Sequence, residues 1–157
     1  MTSYLDKSMP EVWQAARAWS TVVAEAALES GLSVQETEFI KVRASQLNAC
    51  AYCLDLHSRE ARKAGIPQQK LDMLSDWRDA ELYDERERAV LAIAEAATRL
   101  PLTEDSRADL AGARAVLGES AYVAAEWMAV AINTFNRISI LSQHRVSARD
   151  AAGRLVN

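Results

Sequence analysis

Residues that break helices are scarce in this chain, and they fall between runs of strong helix formers. The sequence has only five Gly and three Pro, and Ala, Leu, Glu and Arg dominate the segments between them. These four residue types have high helix propensity. β-branched runs of alternating polarity, the usual sign of strands, are scarce. The sequence therefore predicts an all-α fold, a compact bundle of about six to seven helices.

Capping patterns and stop residues divide the chain into helical segments. Ser33 with Glu36 has the spacing of a capping box, and Asp84 with Glu87 is a similar pair. Gly65 marks a helix C-terminus. The predicted helices lie at about 10–30, 33–46, 50–64, 68–74, 85–99, 104–117 and 120–144. No linker interrupts this series, so we expect one domain over 1–157, with a polar C-terminal tail over 145–157.

The charge and apolar patterns narrow the choice of partners and compartment. A formal net charge of −4 disfavours nucleic acid or an anionic membrane as the main partner. The longest apolar stretch, 121–140, carries Glu126 and Arg137, so we interpret it as a buried or interface helix and not a membrane span. Residues 1–11 lack the apolar core of a signal peptide. We therefore expect a cytoplasmic protein, in a compartment where structural disulfides are rare.

The chain's two cysteines lie three residues apart. They read Cys50-Ala-Tyr-Cys53, and His57, one of two histidines, follows four residues later. On a helix these three side chains share one face. The helix N-terminus, a protonated His57 and the neighbouring thiol all favour a thiolate. A thiolate with a second thiol in reach can attack a peroxide or disulfide and then close a disulfide. The spacing therefore predicts a redox-active pair.

Glu38 is the predicted partner of His57. It lies on the preceding predicted helix, twelve residues before Cys50. Once the chain folds back across residues 47–49, its carboxylate can fix the tautomer of His57 and leave the other ring nitrogen free to move protons. Glu36 is an alternative partner, but the capping box already accounts for it.

Each of these residues also has a plainer interpretation. Cys50 and Cys53 would be small core residues, and His57 and Glu38 an ordinary core histidine and helix charge. A Cys/His metal site is a further alternative, although zinc normally takes four ligands. We predict no bound metal. The second histidine, His144, is interpreted as structural, because a cation suits the C-terminal end of the last helix.

The spacing of Glu38, Cys50, Cys53 and His57 resembles the signature of the alkylhydroperoxidase D-like branch of the carboxymuconolactone decarboxylase superfamily. The similarity covers the segments 35–65, 84–97 and 132–138. The resemblance implies an alkylhydroperoxidase D-like helical fold and a homo-oligomer, a trimer or hexamer. It also implies reduction of hydroperoxides without a bound cofactor. Electrons would come from an external thiol or a lipoyl-bearing protein.

The same resemblance suggests a role for each residue of the motif. In the family's pattern Cys53 attacks the peroxide and Cys50 resolves it, with Glu38 and His57 as the proton relay. Thioredoxin-like chemistry would instead choose Cys50, the thiol nearer the helix N-terminus. The decarboxylase branch generally lacks the cysteine pair, so we do not expect lactone decarboxylation.

The chain departs from the family's pattern at Tyr52, where alkylhydroperoxidase D has a second histidine. A second proton-relay group is therefore missing, or is replaced by a phenol with a pKa of about 10. Tyr52 lies between the thiols and is a candidate for the pocket wall. Asn136 and Arg137 are expected at a subunit contact or at the pocket rim. Two other functions stay open: a redox-sensing or binding protein with little turnover, and a Cys/His metal-binding module.

Overall fold

The computed structural model describes residues 3–156, so Met1, Thr2 and Asn157 of the predicted domain lie outside the described part of the chain. Between residues 3 and 156 the chain forms eight α-helices, a 3-10 turn and one isolated β-bridge. The helices are α1 Leu5–Ser8, α2 Pro10–Glu29, α3 Val34–Leu47, α4 Ala51–Lys63, α5 Gln68–Asp72, α6 Glu85–Thr98, α7 Glu104–Leu117 and α8 Glu119–Leu141. This confirms the all-α prediction.

The predicted count of about six to seven helices is too low, because it omits α1. A helix of four residues carries no periodic apolar signal that a sequence could show. Its position depends on a distant contact, since the backbone N–H of Leu5 donates to Ser142 Oγ at 3.0 Å. The last helix also ends at Leu141, three residues before its predicted end.

The local signals for the other helix starts are confirmed. Complete capping boxes, with reciprocal side-chain to backbone hydrogen bonds, open α3 at Ser33 and Glu36 and open α6 at Asp84 and Glu87. Each box satisfies two backbone N–H groups that a helix N-terminus otherwise leaves unpaired.

The core lies where α3, α6 and α8 meet, and α7 covers the outer side of α6. Its fully buried large apolar side chains are Phe39, Ile40, Val42, Leu74, Val90, Leu91 and Ile93. Burying such side chains stabilises the fold by about 1.5–3 kcal/mol each. None of the helices within residues 3–156 is long and apolar enough to cross a membrane.

A very tight turn joins α3 to α4. Ala49 adopts a left-handed conformation, with φ at 53°, and its N–H donates to Gln46 O at 3.1 Å. The N–H of Cys50 donates to Ser45 O at 3.1 Å, which completes a Schellman motif. Cys50 is also the N-cap residue of α4. The same residue thus ends one helix and begins the next.

We predict that Ala49→Gly stabilises the protein. Ala49 is exposed, so its methyl group contributes little packing. The left-handed conformation of Ala49 costs about 1–2 kcal/mol, and glycine would remove this cost. The greater freedom of glycine in the unfolded chain offsets about 0.4–1 kcal/mol of the resulting gain in stability. We expect the free energy of unfolding in urea to rise by about 0.5–1 kcal/mol.

Ala64→Gly is the matched control for this prediction. Ala64 caps α4 with a right-handed φ of −72°, and Gly65 supplies the left-handed residue there, at φ 86°. The control substitution relieves no strain and should lower stability. Equal effects of the two substitutions would show that the conformation of Ala49 is not strained.

Candidate functional site

The predicted cysteine pair is a disulfide between Cys50 and Cys53, with Cα atoms 5.4 Å apart. The N–H of Cys53 donates to Cys50 Sγ at 3.4 Å, so the sulfur takes the place that a side-chain oxygen has in an ordinary N-cap. Both residues are buried, with 2% and 4% of their surface exposed. The pair therefore lies at the N-terminus of α4, where the backbone dipole favours negative charge on sulfur.

Glu38 and His57 are in contact. The chain folds back at the α3–α4 turn, which places Glu38 Oε2 3.1 Å from His57 Nδ1. The other carboxylate oxygen accepts from Lys41 Nζ at 2.7 Å. Burial alone raises the pKa of Glu38, but the hydrogen bond from His57 and the charge of Lys41 outweigh it and hold this pKa below its usual value. Glu38 is therefore a carboxylate at neutral pH.

The state of Glu38 decides the tautomer of His57. A carboxylate can only accept, so His57 must donate from Nδ1. In the neutral ring Nε2 then carries the lone pair. This is the arrangement in which an imidazole can take a proton from a thiol and later release it.

Cys53 and His57 line one cleft, which we call the thiol cleft; its volume is about 490 Å³. Its lining residues come from five helices and from the segment after α8: Asp6, Trp13, Arg17, Ser20, Lys41, Tyr52, Cys53, Leu56, His57, Met128, Ala131, Ile132, Phe135, Ile138, Ser139 and His144. Glu38 and Cys50 are not among them. The wall of the cleft thus includes one cysteine of the disulfide, together with His57.

Tyr52, the predicted pocket residue, lies on the wall of the thiol cleft. Its side chain is partly open to solvent, and its ring meets that of His144 edge-on, with centroids 5.2 Å apart.

His144, interpreted as a structural residue near the end of the last helix, also lines the thiol cleft. Because α8 ends at Leu141, His144 lies three residues beyond the helix, on the wall of the thiol cleft. Its Nε2 is 3.2 Å from Asp6 Oδ1. Sequence reasoning missed this contact because the two residues are 138 positions apart.

Three further cleft residues carry no signal that sequence analysis could have used. Trp13 packs edge-on against Phe135, with centroids 5.8 Å apart, and both line the cleft. Lys41 has the ordinary spacing of a helix surface residue, yet it binds Glu38.

Asn136 and Arg137, expected at a subunit contact or pocket rim, do not line the thiol cleft. Asn136 is fully buried, accepts from Asn48 Nδ2 at 2.8 Å and donates to Ser45 Oγ at 3.1 Å. Arg137 donates to Asn133, which also accepts from Asn48. These bonds tie α8 to the C-terminal end of α3 and so support the turn that carries Cys50.

Within residues 3–156, no three His, Cys, Asp or Glu side chains are grouped as they would be around a metal ion.

The all-helical fold and its Cys-x-x-Cys disulfide at a helix N-terminus are consistent with the alkylhydroperoxidase D-like type that the sequence resembles. Comparison with known families gives the same answer at the level of sequence. The model of the carboxymuconolactone decarboxylase family matches residues 14–96, which is more than half of the chain. The chain belongs to the carboxymuconolactone decarboxylase family.

Individual relatives show how far the similarity extends. The uncharacterized protein YdfG of Bacillus subtilis is 32% identical over 121 residues, 77% of this chain and 82% of YdfG. The uncharacterized protein YnjA of Escherichia coli is 33% identical over 66 residues, 42% of this chain and 36% of YnjA.

A solved structure from Agrobacterium tumefaciens is similar over nearly the whole chain. Its TM-score is 0.79 and its identity 31%, and the match covers 92% of this chain and 96% of that one. It is described as a protein of unknown function with a provisional assignment as the antioxidant defence protein AhpD.

Proposed function

We propose that this protein is a thiol-dependent peroxidase that reduces hydroperoxides with the Cys50/Cys53 pair. The observation that carries the proposal is the joint position of Cys53 and His57 on the thiol cleft, with the Glu38 carboxylate bonded to His57 behind it. The same atoms suit thiol chemistry and not lactone decarboxylation, for which the family is named.

The first step is attack by Cys53. His57 Nε2 takes the proton from the Cys53 thiol, and Glu38 stabilises the imidazolium that forms. The thiolate attacks the terminal oxygen of the hydroperoxide, so that the O–O bond breaks and an S–O bond forms. The leaving oxygen takes a proton and departs as an alcohol. Cys53 is then a sulfenic acid.

The second step is resolution by Cys50. The Cys50 thiol attacks the sulfur of the Cys53 sulfenic acid, which releases water and forms the disulfide seen in the structure. An external dithiol, such as a lipoyl-bearing protein, or a thiol then reduces the disulfide by thiol exchange. The cycle needs no bound cofactor. A reducing compartment such as the cytoplasm would supply the electrons.

The choice of Cys53 as nucleophile is supported by access. Cys53 lines the thiol cleft, whereas Cys50 lies behind it as the N-cap of α4. Cys53 is also one helical turn from His57, which is the spacing at which side chains on a helix meet.

We also propose that the working form is a homo-oligomer, a trimer or hexamer. Three apolar side chains spaced along one face of α8, Val123, Trp127 and Val130, are exposed in the single chain. These three side chains line a groove whose wall also includes Leu100 and Leu102. Exposed apolar surface of this kind is typical of an interface between proteins.

A single-turnover titration tests the proposed function. Fully reduced protein is mixed with one equivalent of an organic hydroperoxide, and free thiols are counted over time. We expect both thiols of each chain to disappear together, with one peroxide consumed per disulfide formed. Protein whose thiols have been alkylated beforehand is the control, and it should consume no peroxide.

Two other outcomes of this titration would argue against the peroxidase proposal. Thiols that survive for many minutes would contradict the peroxidase proposal. Rapid oxidation followed by a large change in assembly, with little turnover when a dithiol is supplied, would favour the redox-sensing alternative.

A further inference from the structure

Two polar side chains of α2 line the thiol cleft and have no part in the proposed chemistry. They are Arg17 and Ser20, which are three residues apart on the helix. Side chains at this spacing are neighbours on one face of a helix. A guanidinium and a hydroxyl therefore border the cleft side by side, and both groups can donate hydrogen bonds.

Neither of these donor groups has a partner in the described chain. Within residues 3–156 the guanidinium of Arg17 has no ion pair or hydrogen bond, and the hydroxyl of Ser20 has no hydrogen bond. Arg17 is exposed, so a molecule that enters the cleft can reach its guanidinium. A guanidinium binds a carboxylate well, because its planar N–H groups match the two carboxylate oxygens.

The other charged or titratable groups on the cleft wall are already paired. Lys41 Nζ and His57 Nδ1 both lie on the carboxylate of Glu38, at 2.7 and 3.1 Å. Asp6 Oδ1 lies 3.2 Å from His144 Nε2. The guanidinium on α2 therefore brings a positive charge that no acid within residues 3–156 neutralises. An anion in the cleft would be attracted to it.

The rest of the cleft wall is mostly apolar. Met128, Ile132 and Phe135 have the spacing of one face of α8, and Leu56 of α4 and Trp13 of α2 also line the cleft. Such a wall favours an apolar molecule, because binding removes apolar surface from water. A cleft of about 490 Å³ has the size of a site for a small organic molecule.

We propose that the thiol cleft selects organic hydroperoxides that carry a carboxylate on an apolar body, and that Arg17 and Ser20 bind this carboxylate. This inference rests on the proposed function, because the peroxide group of the same molecule must meet Cys53. All three residues border one cleft, so a molecule that fills the cleft contacts them together. Hydroperoxides of fatty acids have this chemistry.

The net charge of the chain makes the proposal easier to test. At −4, the protein as a whole repels anions. A preference for an acid over its uncharged ester therefore cannot come from the overall field of the protein. Such a preference requires a local cation in the site.

The first measurement compares linoleic acid hydroperoxide with its methyl ester as oxidants of the reduced protein, both below the concentration at which they form micelles. The two molecules differ only in the charged group, and their flexible chain lets the carboxylate reach α2 from many positions of the peroxide group. We expect the wild type to react about 10-fold faster with the acid than with the ester. Arg17→Gln should lower the rate with the acid about 10-fold, because a charge-assisted hydrogen bond is lost, and the rate with the ester less than about 2-fold.

Three further variants separate carboxylate binding from other effects. Arg17→Lys keeps the charge and should retain part of the preference for the acid. Ser20→Ala should weaken this preference about 2–3-fold. Arg107→Gln is the matched control, since it removes the same charge from an exposed arginine of α7 that does not line the cleft and has no ion pair within residues 3–156. It should react with both oxidants as the wild type does.

A second measurement links the carboxylate site to Cys53 without any peroxide. Reduced protein is alkylated with iodoacetamide in the presence of octanoate or of the uncharged octanol. We expect octanoate to slow alkylation of Cys53 more than octanol does at the same concentration, and Arg17→Gln to remove this difference. Protection by octanoate that survives in Arg17→Gln would place the carboxylate elsewhere and overturn the inference.

The remaining outcomes would overturn the inference in ways that can be told apart. Equal rates of the wild type with acid and ester would remove the selection for a carboxylate and leave the proposed function intact. Equal losses with both oxidants in Arg17→Gln, or a changed oligomeric state in sedimentation, would make Arg17 a residue of the fold or of a subunit contact. The same loss in Arg107→Gln would assign the preference to total charge. A wild type that reacts with neither hydroperoxide would overturn the proposed function, and the substrate assignment with it.

Discussion

Cys53→Ser is expected to abolish reaction with hydroperoxide. A serine hydroxyl does not ionise near neutral pH, so the cleft would contain no nucleophile. We expect the rate of peroxide consumption to fall at least about 10³-fold, as when other nucleophiles that work with a base are removed. The remaining Cys50 thiol should persist, because it lies behind the cleft as the N-cap of α4. The measurement is the single-turnover titration, with thiols and peroxide counted together.

Cys50→Ser is the matched variant, since it removes the other sulfur of the same disulfide. It should still consume one peroxide per chain and stop at a Cys53 sulfenic acid, which a sulfenic-acid reagent such as dimedone would trap. Cys53→Ser should give no such adduct. The reverse pattern would show that Cys50 attacks first, as thioredoxin-like chemistry favours.

A fold control belongs with both cysteine variants. Each variant lacks the disulfide, so its unfolding in urea is compared with that of the reduced wild type and not of the oxidised protein. Cys53 is 4% exposed, and serine is close to cysteine in size. An unfolding midpoint close to that of the reduced wild type would assign the lost reaction to the missing thiol.

The second large effect is expected at Glu95, a buried acid away from the thiol cleft. Glu95 Oε1 accepts from Arg43 Nε and Nη2 at 2.8 and 2.6 Å and from Trp77 Nε1 at 3.0 Å. Its other oxygen accepts from Arg78 Nη2 at 3.0 Å. Burial raises the pKa of Glu95, but the hydrogen bonds from Trp77 and Arg43 outweigh it and hold this pKa below its usual value. The group is therefore a buried carboxylate that joins α3, α6 and the segment around Trp77.

Glu95→Ala is expected to lower the free energy of unfolding by about 3–5 kcal/mol. The loss is large because the buried guanidinium of Arg43 and the indole N–H of Trp77 would lose their partner. Urea unfolding of the oxidised protein, at one protein concentration for all samples, measures the change.

Glu60→Ala is the matched control for Glu95→Ala. Glu60 also bonds a cation, Lys63 Nζ at 2.8 Å, but both side chains are well exposed. Exposed pairs one turn apart contribute only about 0.3–0.5 kcal/mol. A similar small loss for Glu95→Ala would show that water reaches Arg43 freely and that this ionic cluster does not hold the helices together.

Much of the fold was predictable because its signals are local. A capping box such as Ser33 with Glu36 depends on residues three apart, and the stop at Gly65 depends on one backbone conformation. The helix α1 was not predictable for the opposite reason. Its four residues have no apolar period, and its place depends on a bond to Ser142 at the other end of the chain.

The candidate site likewise has one part that the sequence predicts and another part that depends on distant contacts. The sequence by itself determined the grouping of Cys50, Cys53 and His57, because helix periodicity sets which residues at the start of α4 share a face. Even the contact between α3 and α4 was predictable, since a short turn leaves two helices little choice but to pack together.

Only the tertiary structure decided what faces these residues. Three features depend on how α1, α2 and the end of α8 pack on α4. They are the place of Cys53 on the cleft wall, the place of Trp13 on the same wall, and the pairing of Asp6 with His144. Such packing depends on the shape and burial of many side chains at once. A contact across 138 positions leaves no pattern in the local sequence.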